Sequence, residues 1–271
     1  MSTSRQCNTC HVTSFDFAAI RATPTLHAGD THTNLAHVSR YLQHLGYEHN
    51  PVGSTSLNKD LLQALNTFRR MNGMERVQNF DSSTRAALMA PRCGVPESPI
   101  GANSIGPWPR MHLTFTFGNM SVHLDPDSAK NCVRAAFSTW MQALPGFTFT
   151  EVPAGVPVDV IVEWRPANDP DFSLVGGLIA HADFPPPHSL TTSRLPLPLH
   201  FDDEEAAWCE GMMPGCFDIQ TIALHEIGHL LGLSHSTTPD SVMFPQFKEN
   251  HARHDLDSLD IDTARRLYGT V

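Results

Sequence analysis

The sequence predicts a mixed α+β chain in which a small helical domain precedes a larger domain built from strands and helices. Three observations lead to this prediction. Apolar residues recur at helical spacing between residues 31 and 90, and short alternating runs typical of strands begin after residue 110. The stretch between them, residues 94–109, is rich in proline and glycine, which is typical of a linker.

The N-terminal part is predicted to hold three short helices after a flexible arm, residues 1–30, that shows little periodicity. Asn34, Asn58 and Asp81 are suited to cap these helices, because their side chains can accept hydrogen bonds from first-turn amides. Glycines at 46 and 73 would end the first two helices, and the third would run to residue 91. The apolar side chains on one face of each of the first two helices should point into the core: Leu35, Val38, Leu42 and Leu45 in the first, and Leu61, Leu65 and Phe68 in the second.

The C-terminal part is predicted to alternate strands with helices, and a helix should begin at Asp125-Pro126. A proline-rich loop, residues 185–198, precedes the segment "LHFDDEE". Two helices would close the chain, and we expect the longest helix of the domain to be the first of them. The predicted strands are 112–117, 147–152, 158–164 and 177–182, and the closing helices are 218–231 and 257–267.

Composition excludes some classes of function. The net charge is -10 and no block of lysine and arginine occurs, so nucleic acid is not an expected partner. No apolar run approaches the roughly 20 residues of a membrane span, and the N-terminus lacks the apolar core of a signal peptide. Histidine occurs 16 times, which raises the expectation of a metal site because it is the commonest metal ligand. The protein is expected to be a monomer.

The segment "HEIGHLLGLSH", residues 225–235, carries the strongest chemical signal. His225 and His229 stand four residues apart, on one face of a helix, where both imidazoles can bind one zinc ion. Glu226 can reach a water molecule on that metal. Gly232 can take a positive φ, end the helix and bring His235 back to the same point.

Three neutral imidazoles leave the fourth position of a tetrahedral zinc open, which is typical of a catalytic site. The alternative is a helix of structural histidines. "SVMFP", residues 241–245, argues against it, because Met243 follows His235 by eight residues and a tight turn there could run beneath the metal.

These residues resemble the matrixins (matrix metalloproteinases) of the metzincin clan. The resemblance extends over "LQHLGY", "LLQALNTFRR", "PRCGVPE", "HFDDEEAAW" and "DIDTARRLYG", which is nearly the whole chain. It implies a three-helix prodomain like peptidoglycan-binding modules, residues 31–97, an activation linker, 98–107, and a catalytic domain, 108–271, with a twisted, mostly parallel sheet and a long active-site helix. No hemopexin-like domain follows, which fits a minimal pro-plus-catalytic form.

"PRCGVPE", residues 91–97, is similar to the cysteine switch of this family. The resemblance implies that the Cys93 thiolate is the fourth zinc ligand and excludes the catalytic water until the prodomain is removed. Zinc deprotonates a coordinating thiol, so the chemistry is consistent. Glu97 replaces the usual aspartate, and we expect Arg92 to pair with it nevertheless. The alternative is a merely structural Cys93.

The resemblance further implies a latent zinc endopeptidase with protein or peptide substrates and an activating protease. Glu226 would be the general base toward the zinc-bound water. The substrate would pair with an exposed edge strand, for which "GLIAHA", residues 177–182, is the candidate. Specificity would come from an apolar pocket near Met243 to Pro245.

The family's second, structural zinc and its calcium are only partly matched. His181 and His200 correspond to zinc ligands, but Pro166 and Asn168 stand where a His-x-Asp pair is expected. Asp169, Asp171 or His188 would have to substitute. Asp202 and Glu205 match calcium ligands, whereas Ser173 replaces an aspartate; ordinary surface or core residues are the alternative for all of these positions.

Other cysteines leave alternatives open. Cys209 and Cys216 flank a glycine- and proline-containing turn and are predicted either to form a disulfide or to remain free. "CNTCH", residues 7–11, fits a haem-attachment pattern and half a zinc knuckle, without a second ligand cluster nearby. The resemblance implies an extracellular protein, yet no signal peptide is visible, so a cytoplasmic location also stays open.

Two rival functions remain at this stage. A cell-wall-targeted zinc hydrolase would use the helical domain for targeting, but such a module has no need of a thiol directed at zinc. A catalytically inactive zinc-binding module would have lost a ligand or the base, yet Glu226 and the three histidines are present.

Overall fold

The computed structural model describes residues 15–47, 53–97, 104–169, 175–192 and 194–270, and its contacts divide the chain into two units, Met1–Leu88 and Met89–Val271. Residues 89–97, which the sequence places at the end of the helical domain, fall within the second unit. "CNTCH" lies outside the described residues. No helix in the described ranges is long and apolar enough to cross a membrane.

The first unit contains four helices and a two-stranded pair within the described residues. The helices are α1 (Phe17–Ala22), α2 (Leu35–His44), α3 (Lys59–Met71) and α4 (Ser82–Leu88), and the antiparallel strands are β1 (Leu26–His27) and β2 (Asn79–Phe80). Helices α2, α3 and α4 lie where three helices are predicted, but α4 ends at Leu88 instead of residue 91. The prediction of a flexible arm is wrong for the residues of α1, because Asp16 caps this helix and Phe17 and Ile20 are buried.

Helix caps follow the expected chemistry at two of three positions. Asn58 accepts a hydrogen bond from the amide of Leu61, and Asp81 accepts one from the amide of Thr84. The prediction for Asn34 is wrong, because its backbone is already helical and its side chain donates to the carbonyl of Ala19 instead. All of the predicted inward apolar residues of α2 and α3 are buried.

The second unit is built on a six-stranded sheet with the order β3-β7-β8-β6-β4-β5. Its strands pair in parallel except β7 with β8, which are antiparallel, so the sheet is mostly parallel as expected. The strands are β3 (Arg92–Cys93), β4 (His112–Phe117), β5 (Thr148–Glu151), β6 (Val160–Arg165), β7 (Leu178–Ala182) and β8 (Leu197–Asp202).

Three helices of this unit are described: α5 (Pro126–Ala143), α6 (Ile219–Leu230) and α7 (Ser258–Tyr268). The prediction that the late, active-site helix is the longest is wrong, because α5 has 18 residues and α6 has 12. The apolar pattern of α6 continues beyond Leu230, but Gly232 takes a φ of 92° and ends the helix. Helices α5 and α6 pack against each other in the core, where Trp140 donates a hydrogen bond to the carbonyl of Leu224.

A short parallel pair precedes the active-site helix. Strands β9 (Trp208–Cys209) and β10 (Phe217–Asp218) flank a turn, and a disulfide joins Cys209 to Cys216. Asp218 then caps α6 by accepting a hydrogen bond from the amide of Thr221. The disulfide and the cap together fix where α6 begins, and therefore where its histidines lie.

Candidate metal centre

Helix α6 carries the first two predicted ligands. His225 and His229 are both fully buried, and Gly228 lies between them. A Cβ at Gly228 would come within 2.2 Å of the sulfur of Met243, so the methionine packs directly against the helix at this point. Only a residue without a side chain permits that approach.

The turn after α6 brings the third histidine back. The amide of Gly232 donates to the carbonyl of His229 at 2.8 Å, and the amide of Leu233 donates to that of Gly228 at 2.9 Å. A Cβ at Gly232 would lie 2.1 Å from the carbonyl oxygen of Gly106, so the position excludes side chains for steric as well as conformational reasons. The chain reverses here instead of continuing as helix.

Four ligand atoms converge as a result. The Nε2 atom of His229 lies 3.1 Å from Nε2 of His225, 3.2 Å from Nε2 of His235 and 3.5 Å from Sγ of Cys93. All four side chains are buried. The structure thus brings together every residue that the sequence analysis assigns to the catalytic zinc and its latch.

The histidine tautomers are fixed by backbone carbonyls. Nδ1 of His225 lies 2.6 Å from the carbonyl oxygen of Val242, and Nδ1 of His229 lies 2.8 Å from that of Leu233. Because a carbonyl only accepts, each Nδ1 carries the proton and each Nε2 presents its lone pair to the shared point. Such convergent lone pairs repel each other unless a cation lies between them.

Burial keeps the imidazoles neutral, which is the form that binds metal. It lowers the pKa of His229 to about 4 and lowers the pKa values of His225 and His235 well below their ordinary value. Burial, reinforced by the nearby carboxylate of Glu226, raises the pKa of Cys93 well above its ordinary value. The protein alone therefore disfavours the thiolate, and a divalent cation is the group that would reverse this.

The residues present fit a tetrahedral zinc ion. Zinc bonds of about 2.05 Å to nitrogen and 2.3 Å to sulfur put two nitrogens about 3.3 Å apart and a nitrogen and a sulfur about 3.6 Å apart. The observed separations of 3.1 and 3.2 Å between nitrogens and 3.5 Å to sulfur are close to these. Both carboxylate oxygens of Glu226 are buried beside the cluster, and burial raises the pKa of Glu226 to about 8.

The segment around Cys93 lies as an extended strand in a cleft. On one side β3 pairs in parallel with β7, and the amide of Gly94 donates to the carbonyl of Ala180. On the other side, the amide of Cys93 donates to the carbonyl of Pro245 and the amide of Phe247 donates to that of Pro91. Segment β3 thus occupies the free side of β7, the strand of "GLIAHA" that is expected to pair with a substrate.

A buried ion pair holds this segment closed on itself. Nη1 of Arg92 lies 2.5 Å from Oε1 of Glu97, and the two side chains are 0% and 1% exposed. The longer glutamate at the position of the usual aspartate does not prevent the pairing. The amide of Val95 also donates to Sγ of Cys93 at 3.3 Å, which fixes the direction of the thiol.

A second cluster of three candidate ligands is formed by residues on β7 and β8 and just after β6. Asp169, His181 and His200 are buried, with ligand atoms within 4.8 Å of one another. Nδ1 of His200 lies 2.8 Å from Oδ2 of Asp169, and Nε of Arg165 lies 3.3 Å from the same oxygen. The described residues thus supply three of the four ligands of a closed zinc site, and a guanidinium shares the carboxylate.

The other predicted metal positions remain apart from this cluster. Asp202 is buried and accepts hydrogen bonds from the amides of Glu204 and Glu205, and burial raises its pKa to about 6. The exposed Glu205 accepts one from the amide of Gly176. Asp171 and Ser173 lie outside the described residues, so the calcium site stays a prediction.

One supporting residue was not predicted from the sequence. Asp260, at the start of α7, accepts hydrogen bonds from the hydroxyl of Ser241 and the amide of Val242. It therefore positions the carbonyl that holds His225. Its only signal in the sequence was its place in "DIDTARRLYG", and nothing in that segment indicates its distant partners.

Comparison with known proteins agrees with this geometry. The matrixin family model matches residues 107–269. The chain is 33% identical over 245 residues to the hatching enzyme of Paracentrotus lividus, covering 88% of this chain and 39% of that protein. It is 32% identical over 240 residues to matrix metalloproteinase-19 of Homo sapiens, covering 84% of this chain and 44% of that protein. It is 30% identical over 271 residues to metalloendoproteinase 1 of Glycine max, covering 90% of this chain and 85% of that protein. The chain thus spans less than half the length of the first two relatives.

Proposed function

The chain belongs to the matrixin family, and on that premise we propose that it is a zinc-dependent endopeptidase held latent by Cys93. The observation that carries the proposal is the convergence of three Nε2 atoms and one thiol, with a buried carboxylate alongside. This is the donor set of an open zinc site whose remaining position is taken by a removable ligand.

Zinc, when bound by His225, His229 and His235, would polarise a peptide carbonyl and lower the pKa of a water molecule. Glu226 would accept a proton from that water and pass it to the leaving amine. Burial raises the pKa of Glu226 in the metal-free chain, and a zinc ion beside it would favour the carboxylate, which is the form that accepts a proton. The peptide would lie extended between β7 and residues 245–247, where backbone groups already bind an extended segment.

Latency would follow from shared occupancy. Cys93 stands where the water and the peptide carbonyl would lie. The amides of Cys93 and Gly94 donate to the carbonyls of Pro245 and Ala180, which an extended substrate would need. Substrate and latch therefore exclude each other. Removal of the segment by an activating protease, with cleavage expected within residues 97–107, would open the cleft.

Turnover of a quenched peptide by the zinc-loaded full chain tests this proposal. We expect the parent chain to be silent and Cys93→Ser to be active, because serine is a much weaker zinc ligand than thiolate. Cys93→Ser combined with Glu226→Gln is the matched control and should bind zinc without cleaving. Silence of the folded, zinc-loaded Cys93→Ser chain both before and after cleavage within residues 97–107 would contradict the peptidase, and equal activity of the parent would contradict the latch.

A further inference from the structure

A cavity of about 210 Å³ lies beside the metal centre, and we propose that it selects an acidic side chain of the substrate through Lys248 and Arg253. This inference rests on the proposed function and names the chemistry of the preferred peptide. The cavity is smaller than the roughly 300–1,000 Å³ of sites for drug-sized ligands, so it suits a single side chain.

The position of the cavity ties it to the reacting centre. Ile222 lies on α6 one turn before His225, and Val242 supplies the carbonyl that holds His225. Phe247, on another wall, packs its ring edge-to-face against the imidazole of His225 with the centroids 4.9 Å apart. A side chain inside the cavity would therefore extend from a peptide residue close to the bond being cleaved.

The cavity also borders the wall that binds an extended backbone. Gln246 lines the cavity and forms a β-bridge with Arg92, and Phe247 donates its amide to the carbonyl of Pro91. A substrate strand that replaces the segment 91–93 would run along the same wall. Because side chains of a strand alternate between its two faces, one of them can enter the cavity while the backbone stays paired.

The lining combines apolar side chains with basic ones. Lys248, His251 and Arg253 line it, against a single carboxylate, Asp240. The side chain of Asp240 is 90% exposed and 3.9 Å from the guanidinium of Arg253, so it neutralises little of this charge.

Arg253 is held in place before any ligand binds. Its Nη1 donates to the carbonyls of Pro239 and Ser241, at 3.0 and 2.9 Å. Its amide donates to the hydroxyl of Thr221 on α6. A fixed cation loses little side-chain entropy on pairing, whereas Lys248 is exposed and adds its charge at the rim. The apolar stem of a glutamate would contact Ile222 and Val242, and its carboxylate would face the cations.

Two peptides that differ only in Glu or Gln at the position facing the cavity test this inference, because the pair has the same shape and differs in charge. Cleavage sites in a mixed peptide library, mapped with the zinc-loaded Cys93→Ser full chain, identify that position. Binding is then measured by fluorescence anisotropy on the non-cleaving chain with Cys93→Ser and Glu226→Gln. We expect Glu to bind about fivefold more tightly than Gln at low salt, and the ratio to fall as salt screens the charges.

Lys248→Met should lower the Glu-to-Gln ratio toward one, because it removes a rim charge from an exposed position with little risk to folding. Lys59→Met, on the helical unit, removes the same charge and should leave the ratio unchanged. Equal binding of Glu and Gln, or enrichment of apolar residues at the mapped position, would overturn the inference and leave the peptidase intact. A Glu preference in binding without any cleavage would overturn the peptidase and keep the pocket, and the absence of both would overturn both.

Discussion

The buried ion pair between Arg92 and Glu97 should control how often the cleft opens. Both side chains are almost fully buried, and the shortest distance between guanidinium and carboxylate is 2.5 Å. Arg92→Met removes the cation but retains most of the apolar stem. It leaves the carboxylate of Glu97 buried without this charge partner in the closed state, whereas water can solvate it in the open state.

The size of the effect follows from the cost of an unpaired buried charge. Breaking a buried pair by removing one partner costs roughly 3–5 kcal/mol. At about 1.4 kcal/mol per factor of ten, the open population should rise roughly 100- to 4,000-fold. The double variant Arg92→Met with Glu97→Gln should show a much smaller rise, because no charge is then left buried.

The reactivity of the Cys93 thiol reports the open population. The zinc-loaded chain would carry serine at positions 7, 10 and 132, so that Cys93 is the only free thiol, since Cys209 and Cys216 form a disulfide. Its rate of reaction with an aromatic disulfide reagent should rise in Arg92→Met by the factor given above. Peptide turnover should rise in parallel if opening exposes the zinc.

An exposed ion pair provides the matched control. Arg134 and Glu151 are 41% and 36% exposed, and pairs of this kind contribute about 1 kcal/mol or less. Arg134→Met should therefore leave the thiol rate unchanged. If Arg92→Met, still folded and loaded with zinc, reacts no faster than the parent, the ion pair does not hold the latch and the reasoning from burial is wrong.

Three further predictions concern the metal centre and its support. Gly228→Ala should lower the free energy of unfolding, measured in urea, by about 1–3 kcal/mol. Alanine favours the helix more than glycine does, but its Cβ would lie 2.2 Å from the sulfur of Met243. Unchanged stability would mean that the methionine moves freely. During stepwise addition of a chelator, with bound zinc measured at each step, the three-histidine centre should retain zinc longer than the cluster at Asp169. That cluster has three candidate ligands, and the guanidinium of Arg165 competes with a metal ion for the carboxylate of Asp169, so Asp169→Asn should abolish only the weaker binding. Simultaneous loss of two zinc ions would refute this ranking. The metal-free chain should lose stability as pH falls from about 6.5, the pKa of an unfolded histidine, to about 4, the pKa of His229 in the folded chain. The reason is that over this range the unfolded imidazole binds a proton and the buried one does not. A thermal midpoint that does not change over this range would contradict the prediction.

Local chemistry made part of this molecule predictable. The spacing of His225 and His229 on a helix, the glycine turn and the position of His235 depend on neighbouring residues only, so eleven consecutive letters contain them. The limits of α3 and α7 likewise follow from caps within the same turn, Asn58 and Asp257. In each case the interaction that decides the structure joins residues a few positions apart.

Features that depend on distant partners were not predictable. The pairing of β3 requires β7 and Pro245, which lie about 85 and 150 residues further along the chain. The same holds for Asp260, whose partner Ser241 is 19 positions away. Asp169 joins His181 and His200 only because the loop after β6 returns to the sheet, and the motif expected at 166 and 168 pointed elsewhere. Residue type alone gives no register for such contacts.

The latch and the metal should strengthen each other. The protein by itself raises the pKa of Cys93 through burial and the proximity of Glu226, so closing the segment on the cleft gains nothing from the thiol unless a cation makes it a thiolate. By linkage, the factor by which zinc favours the closed segment equals the factor by which the closed segment favours zinc. The ion pair of Arg92 and Glu97 should therefore act on both at once. If Cys93 is the fourth ligand, as proposed, whatever opens the cleft would also remove that ligand, and a chain without the ion pair should release zinc more readily than the parent.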